Sequence, residues 1–321
     1  MPLHIPHSGE DPQSILPASS LTTAAEHGQE VERLLGQQRL LSELIGGTLP
    51  PSVNMPQEGW VLDVGCGAGT WVHEMARRYP SLQIVGIDSN ASSIQQARQL
   101  TRNLPNVLFL LQDMHHLEGE IFTPDTFGLI HLRFLADNVL DQYYPRLLQA
   151  LTRLLKVGGR LISCEAELPL TSSRACDVLG TMLLRALIKQ DRAFSRGLSL
   201  RIGIVAWILY WLHQVGLAPE DEQSYMLQVS YGTKAHGAFC QQVTMFAQQI
   251  RPLLVEAGVV SNERCEQVCQ QMKQEIEAKT FYGVWPIHLV VAVKQERQER
   301  PREMQQSAAY VEYQEGVRML A

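Results

Sequence analysis

The residues best placed to do chemistry fall in three short runs. The first is Val61-Leu62-Asp63-Val64-Gly65-Cys66-Gly67-Ala68-Gly69. Glycines at alternate positions let the backbone turn sharply and expose its amides at the start of a following helix, so a ligand can lie close to the main chain. A dinucleotide site spaces its glycines as G-x-G-x-x-G around a pyrophosphate. Here the third glycine comes one residue early, and Asp63 stands two residues ahead of the turn, where its charge would repel a pyrophosphate. A ligand with an amino group suits the turn better. The second run is Val85-Gly86-Ile87-Asp88-Ser89, with Asp88 19 residues beyond Gly69. An acid at a strand end can accept both hydroxyls of a ribose. The third is Leu111-Gln112-Asp113-Met114, where an acid can accept from an adenine amino group and its neighbours can flank the ring. Cys66 reads as a small filler of the turn rather than a nucleophile.

These runs need a frame, and the periodicity predicts one. Strands are expected at 60–64, 82–87, 107–111, 127–132 and 160–164, with helices at 70–79, 91–103 and 140–156 between them. The last of these helices should end at the Gly158-Gly159 pair, read as a C-cap. Strands alternating with helices imply a parallel sheet covered on both faces. After Pro169 the rhythm changes to helical stretches at 172–217, broken near 195–199, and at 236–279, broken near Gly258 and Ser261. Strands are expected at 225–231 and 285–293. The domain organisation follows: an N-terminal arm over 1–23, one α/β domain over 24–294, and a tail over 295–321. The domain has a core at about 56–168 and helical insertions at about 170–217 and 236–283, and a helix over 24–45 is placed to close over the site.

The runs VLDVGCGAG, GIDSN, LQDM and LLKVGGRL, in that order, resemble those of the class I S-adenosylmethionine-dependent methyltransferases. The resemblance implies a Rossmann-like, doubly wound, mostly parallel seven-stranded sheet with S-adenosyl-L-methionine as cofactor. It implies that Gly65, Cys66, Gly67 and Gly69 line the methionine part, with Asp63 near the amino group. Asp88 and Ser89 would hold the ribose, and Gln112, Asp113 and Met114 the adenine.

The methyl acceptor is expected at the carboxyl ends of the strands. His131 and Arg133, in Leu129-Ile130-His131-Leu132-Arg133, are two apart and share a face. His131 could take a proton from an attacking oxygen or nitrogen. Arg133 could hold a carboxylate or phosphate, or pair with Asp137. Glu165 after the fifth strand could be a base or an orienting acceptor, and Trp71 could wall the pocket. Many proteins of this type have an acid where Gly128 stands, so no catalytic role is drawn from that position. Trp207, Tyr210 and Trp211 fit one helical face, as core packing or as the lining of an apolar pocket.

Composition narrows the partners. The 321 residues carry a net charge of −6, with 45% hydrophobic and 19% charged residues. A core can be buried, and no basic excess suits phosphate contacts, so a nucleic-acid partner is not expected. Six cysteines with no CxxC pair suggest neither a disulfide framework nor a zinc ribbon. No metal is expected, since Asp137-Asn138 follows the fourth strand rather than the fifth. The apolar run Ile202–Leu212 is shorter than the roughly 20 residues of a membrane span. No secretory signal is evident, so a cytoplasmic protein without stable membrane association is expected; a homo-oligomer is left open. The expected activity is methyl transfer to a small, apolar or aromatic metabolite at oxygen, nitrogen or carbon. The alternatives are a peptide or protein methyltransferase, or a cofactor-binding regulatory module without turnover.

Overall fold

The computed structural model describes residues 35, 38, 42–44, 46–55, 57–117, 121–135, 143–190 and 203–296. The arm over 1–23, most of the helix expected over 24–45, all but the first two residues of the tail over 295–321, the helical break near 195–199 and the Asp137-Asn138 pair lie outside the described residues.

Strand β1 (Gly59–Val64) is the centre of the sheet. It pairs in parallel with β2 (Leu82–Asp88) on one side and β4 (Phe127–Arg133) on the other. β3 (Val107–Leu111) lies outside β2, and β5 (Leu155–Ala166) lies beside β4, both parallel. The sheet then turns antiparallel. β8 (Gly283–Lys294) pairs with β5, with the two-residue β6 (Leu170–Thr171) and with β7 (Leu217–Gln228). The doubly wound α/β sheet expected from the sequence is therefore present, with β6 as an eighth strand among the described residues. The chain runs β1-β2-β3 outward and then returns to lay β4 on the other side of β1. That reversal opens a crevice outside the carboxyl ends of β1 and β4.

Alternation along the strands builds a core on each face. Val61, Ile84, Leu129 and Ile162 pack with Trp71, Val72 and Met75 of α1 (Thr70–Arg78) and Ile94 of α2 (Ala91–Leu100). Leu62, Val64, Val85, Ile130 and Leu132 pack on the opposite face with Tyr144, Leu148 and Leu151 of α3 (Tyr144–Leu154) and Ile208 and Trp211 of α5 (Ile204–Gln214). The aromatic group of α5 largely packs. Trp211 lies 5.4 Å from the Tyr144 ring and Trp207 stacks on Trp211 at 5.9 Å. A third core joins α4 (Arg174–Lys189), α6 (His236–Glu256) and α7 (Asn262–Glu277). The break between α6 and α7 falls where Gly258 and Ser261 signalled it; the Ser261 hydroxyl caps α7 by accepting from the Arg264 amide at 3.2 Å.

Two boundaries depart from expectation. α3 stops at Leu154 and the chain passes straight into β5, so Gly158-Gly159 is no C-cap. Between the pairs Phe127↔Leu155 and Leu129↔Arg160 the β5 strand carries extra residues, a bulge opposite Gly128. Gly158 takes φ +75°, and a Cβ on Gly159 would meet the Lys156 carbonyl oxygen at 2.9 Å and that of Gly128 at 3.1 Å. β7 starts at Leu217, eight residues earlier than its hydrophobic pattern suggested. As the outer strand it exposes Glu220, Glu222 and Ser224, and these hide the period from an apolar reading.

Candidate active site

The glycine turn leaves β1 at the crevice, and its three glycines answer to three different constraints. All take left-handed backbones, with φ of 68°, 53° and 74° at Gly65, Gly67 and Gly69. A Cβ on Gly65 would meet Leu135 Cδ2 at 2.5 Å, because the chain leaving β4 crosses the turn there. A Cβ on Gly69 would meet Ala97 Cβ and Phe109 Cζ at 2.8 Å, so this glycine lets α1 approach α2 and β3. Gly67 has nothing within 4 Å of that position. It is the open point of the turn, where a ligand can come against the backbone. Cys66 fills space: it is buried, and burial, then the Asp63 and Asp88 charges, push its thiol pKa far up.

Asp88 ties the turn to β2. Its Oδ2 accepts from the Gly67 amide at 2.9 Å and its Oδ1 from the Asn90 amide at 2.8 Å. Each carboxylate oxygen has a further lone pair for a ligand hydroxyl. Asn90, not Asp88, caps α2, accepting from Ser92 and Ser93. Ser89 is exposed beside it. Gln112 is anchored by its amide to the Asp88 carbonyl at 3.0 Å, while its side chain donates to the Asp113 and His116 carbonyls. Asp113 is turned onto its own loop, accepting from the His115 amide at 2.9 Å and facing the His115 ring at 2.8 Å. Partial burial pushes its pKa up, but these contacts prevail and hold it below the ordinary value. Met114 lies against the turn, with Cε 3.6 Å from the Cβ position of Gly65.

Asp63 does not present a free carboxylate. It lies opposite His131 in the β1–β4 register, and its Oδ1 is 2.7 Å from His131 Nδ1, with both side chains buried. The Trp71 ring stacks on the imidazole at 4.0 Å and 4° between planes, and Trp71 Nε1 donates to the Thr48 carbonyl at 3.1 Å. Burial lowers the His131 pKa, against the opposing pull of Asp63, so the ring is neutral near pH 7. Arg133, one step beyond the last β1–β4 pair, faces the same side and donates from Nη1 to Gln38 Oε1 at 2.5 Å. Glu165 lies apart from both. It is buried on the opposite face, where its carboxylate accepts from the Leu135 amide and the Tyr144 hydroxyl, each at 3.2 Å. The three candidate catalytic residues thus divide between the two faces of the sheet.

Glu74 was not singled out from the sequence. Its carboxylate gathers the segment ahead of β1, accepting from Gln38 Nε2 and Ser42 Oγ at 3.0 Å and from Thr48 Oγ1 at 2.6 Å. Glu74 stands one turn after Trp71 on α1, and an acid on that half-buried face was the signal available. A second tie holds the rim. Phe134, left-handed at φ 53°, stacks on Trp285 at 5.6 Å. Trp285 Nε1 donates to the Glu167 carbonyl, while the Glu167 carboxylate accepts from the Gly203 amide at the start of α5. Among the described residues there is no group of three or more His, Cys, Asp or Glu placed to hold a metal ion.

Residues 57–197 match a family model described as a methyltransferase domain. Methyltransferase str3 of Strobilurus tenacellus is 28% identical over 135 residues, 41% of this chain and 44% of that protein. Trans-aconitate 2-methyltransferase of Deinococcus radiodurans is 33% identical over 105 residues, 32% of this chain and 35% of that protein. The chain spans less than half the length of these two curated relatives. Geranyl diphosphate C-methyltransferase of Streptomyces coelicolor A3(2) aligns over 84% of this chain and 83% of its own, with 15% identity and a TM-score of 0.45. Over residues 57–197 the chain is therefore similar to methyltransferase domains.

Proposed function

We propose that the protein transfers a methyl group from S-adenosylmethionine to a small, apolar or aromatic metabolite at oxygen, nitrogen or carbon. One observation carries the reading: the open turn at Gly67, hydrogen-bonded to the Asp88 carboxylate outside the ends of β1 and β2. This cradle fits the cofactor, since a Cβ at Gly67 would fill the space where a ligand meets the amides, and the spare lone pairs of Asp88 suit a ribose diol. Gly65 and Gly67 would line the methionine end, and Gln112 and Met114 the adenine. When bound, the cofactor supplies a methyl on a positively charged sulfur, so alignment and exclusion of water do most of the remaining work.

On this reading, His131 is the residue for any proton that must leave the acceptor. With Nδ1–H given to Asp63, its Nε2 carries the lone pair, and the neutral ring is in the accepting state. Asp63 then acts as a positioning residue that fixes the tautomer. Glu165 holds the chain after β4 through Leu135. The stacked rings of Phe134 and Trp285 near the rim favour an apolar acceptor. Isothermal titration of the full chain with S-adenosylmethionine and S-adenosylhomocysteine tests the cofactor. Binding tighter than about 1 mM is expected, and none at that concentration refutes the reading. Transfer of labelled methyl groups to a panel of aromatic and apolar acceptors, rather than to peptides, tests the substrate class.

A further inference from the structure

We propose that Arg133 is the carboxylate receptor of this site, kept in reserve by Gln38. The inference rests on the cofactor reading above and adds a ligand group to it. A guanidinium has five N–H donors in a planar fork and stays charged. At Arg133 the one hydrogen bond among the described residues goes to Gln38 Oε1, a neutral oxygen. No carboxylate lies within ion-pair distance of it among the described residues. The two nearby acids are committed elsewhere, Asp63 to His131 and Glu74 to Gln38, Ser42 and Thr48.

The surroundings are a built pocket. Gln38, Ser42, Trp71, His131 and Cys164 line a cavity with Arg133, with room for one water at most, about 10 Å³. A cation held half-buried there without a directly paired anion is costly, and a hydrogen-bonded anionic partner relieves that cost. Arg133 also stands level with the start of the glycine turn, one step past the Val64↔Leu132 pair. A ligand lying along the turn would end near this level of the sheet. The Gln38 amide oxygen occupies the place that a carboxylate oxygen would take, so a carboxylate enters by displacing it. The carboxylate can come from the amino-acid end of the cofactor or from the acceptor.

The test uses the full chain, wild type and Arg133→Gln, titrated with S-adenosylhomocysteine and with its decarboxylated 3-aminopropyl analogue. Benzoate is then added to the S-adenosylhomocysteine complex. If the cofactor supplies the carboxylate, Arg133→Gln weakens S-adenosylhomocysteine about 10- to 100-fold and leaves the analogue unchanged. If the acceptor supplies it, neither adenosyl ligand changes, and benzoate binds the wild-type complex but not that of the variant. Equal weakening of both adenosyl ligands, or no effect in either arm, overturns the proposal. Should Arg133→Gln fail to fold, Arg133→Lys replaces it; that variant keeps the charge but not the fork, and a several-fold loss with the same selectivity is expected. Failure of the wild type to bind S-adenosylhomocysteine refutes the cofactor reading instead. Benzoate binding to the unliganded protein, present in the wild type and lost in the variant, then decides whether Arg133 receives carboxylates.

Discussion

Deleting the Asp63 carboxylate tests the buried pair most directly. In Asp63→Ala the Nδ1–H of His131 loses its acceptor at a place where both side chains are under a tenth exposed. Removing one partner of a buried charged pair costs about 3–5 kcal/mol. Because His131 is neutral, the loss should fall near the lower end, about 3 kcal/mol. Asp63→Asn keeps an oxygen that can accept from Nδ1–H and should lose only about 1–2 kcal/mol. Urea unfolding, followed by tryptophan fluorescence, measures both. The pH dependence sharpens the test. His131 has a folded pKa below its unfolded value of 6.5, so its contribution is complete above that value and is lost as pH falls through the window beneath it. Asp63 opposes the depression, so removing it extends the window downward. The gap between wild type and Asp63→Ala should therefore widen in acid. His73 and His288, also depressed, largely cancel in the difference. An alanine variant within about 0.5 kcal/mol of wild type, or a gap that closes in acid, would refute the pairing.

Three further outcomes follow from the turn and its neighbours. Gly69→Ala should cost about 2–4 kcal/mol, from a left-handed residue with a Cβ 2.8 Å from Ala97 and Phe109; Gly67→Ala, with space around it, should cost about 1 kcal/mol yet weaken S-adenosylhomocysteine more than Gly69→Ala does. Thermal melts and calorimetry on the same samples separate the two effects. Asp88→Ala should weaken S-adenosylhomocysteine at least about ten-fold, since it removes the acceptor of Gly67 along with the spare lone pairs; unchanged affinity would move the ribose elsewhere. Glu74→Ala deletes the acceptor of three hydrogen bonds and should destabilise by about 2–3 kcal/mol. Limited proteolysis should then cut within 38–50 faster than in the wild type, and equal rates would count against Glu74 as the residue that holds this segment.

The central strands, the turn and its neighbouring helices were legible because their signals are local. Gly65 to Gly69 between an apolar strand and Thr70 states its own geometry. Gly158-Gly159 misled for the same reason, since a glycine pair looks alike whether it ends a helix or forms a bulge against Gly128. The polar alternation of Glu220, Glu222 and Ser224 concealed β7 because an edge strand shows water one face. What the sequence could not offer was pairing at a distance. Asp63 meets His131 68 residues away, and Gln38 meets Glu74 36 residues away. Glu165 read as a strand-end acid available to a ligand, yet Tyr144 and Leu135 enclose it.

The antiparallel half of the sheet bears on how the chain reaches its native state. β5 is complete by Ala166, but its partner β8 begins only at Gly283, after β6, β7 and, among the described residues, four helices have been made. During synthesis the β5 edge, with Leu161, Ile162 and Cys164 along it, waits unpaired while more than a hundred residues emerge. Contacts of such separation slow folding and leave an apolar edge open to wrong partners. Chains truncated before residue 283 should therefore aggregate rather than fold as a smaller domain, although the glycine turn and Asp88 are already present in them. On this expectation β8, far from the site in sequence, controls when the site becomes part of a stable protein.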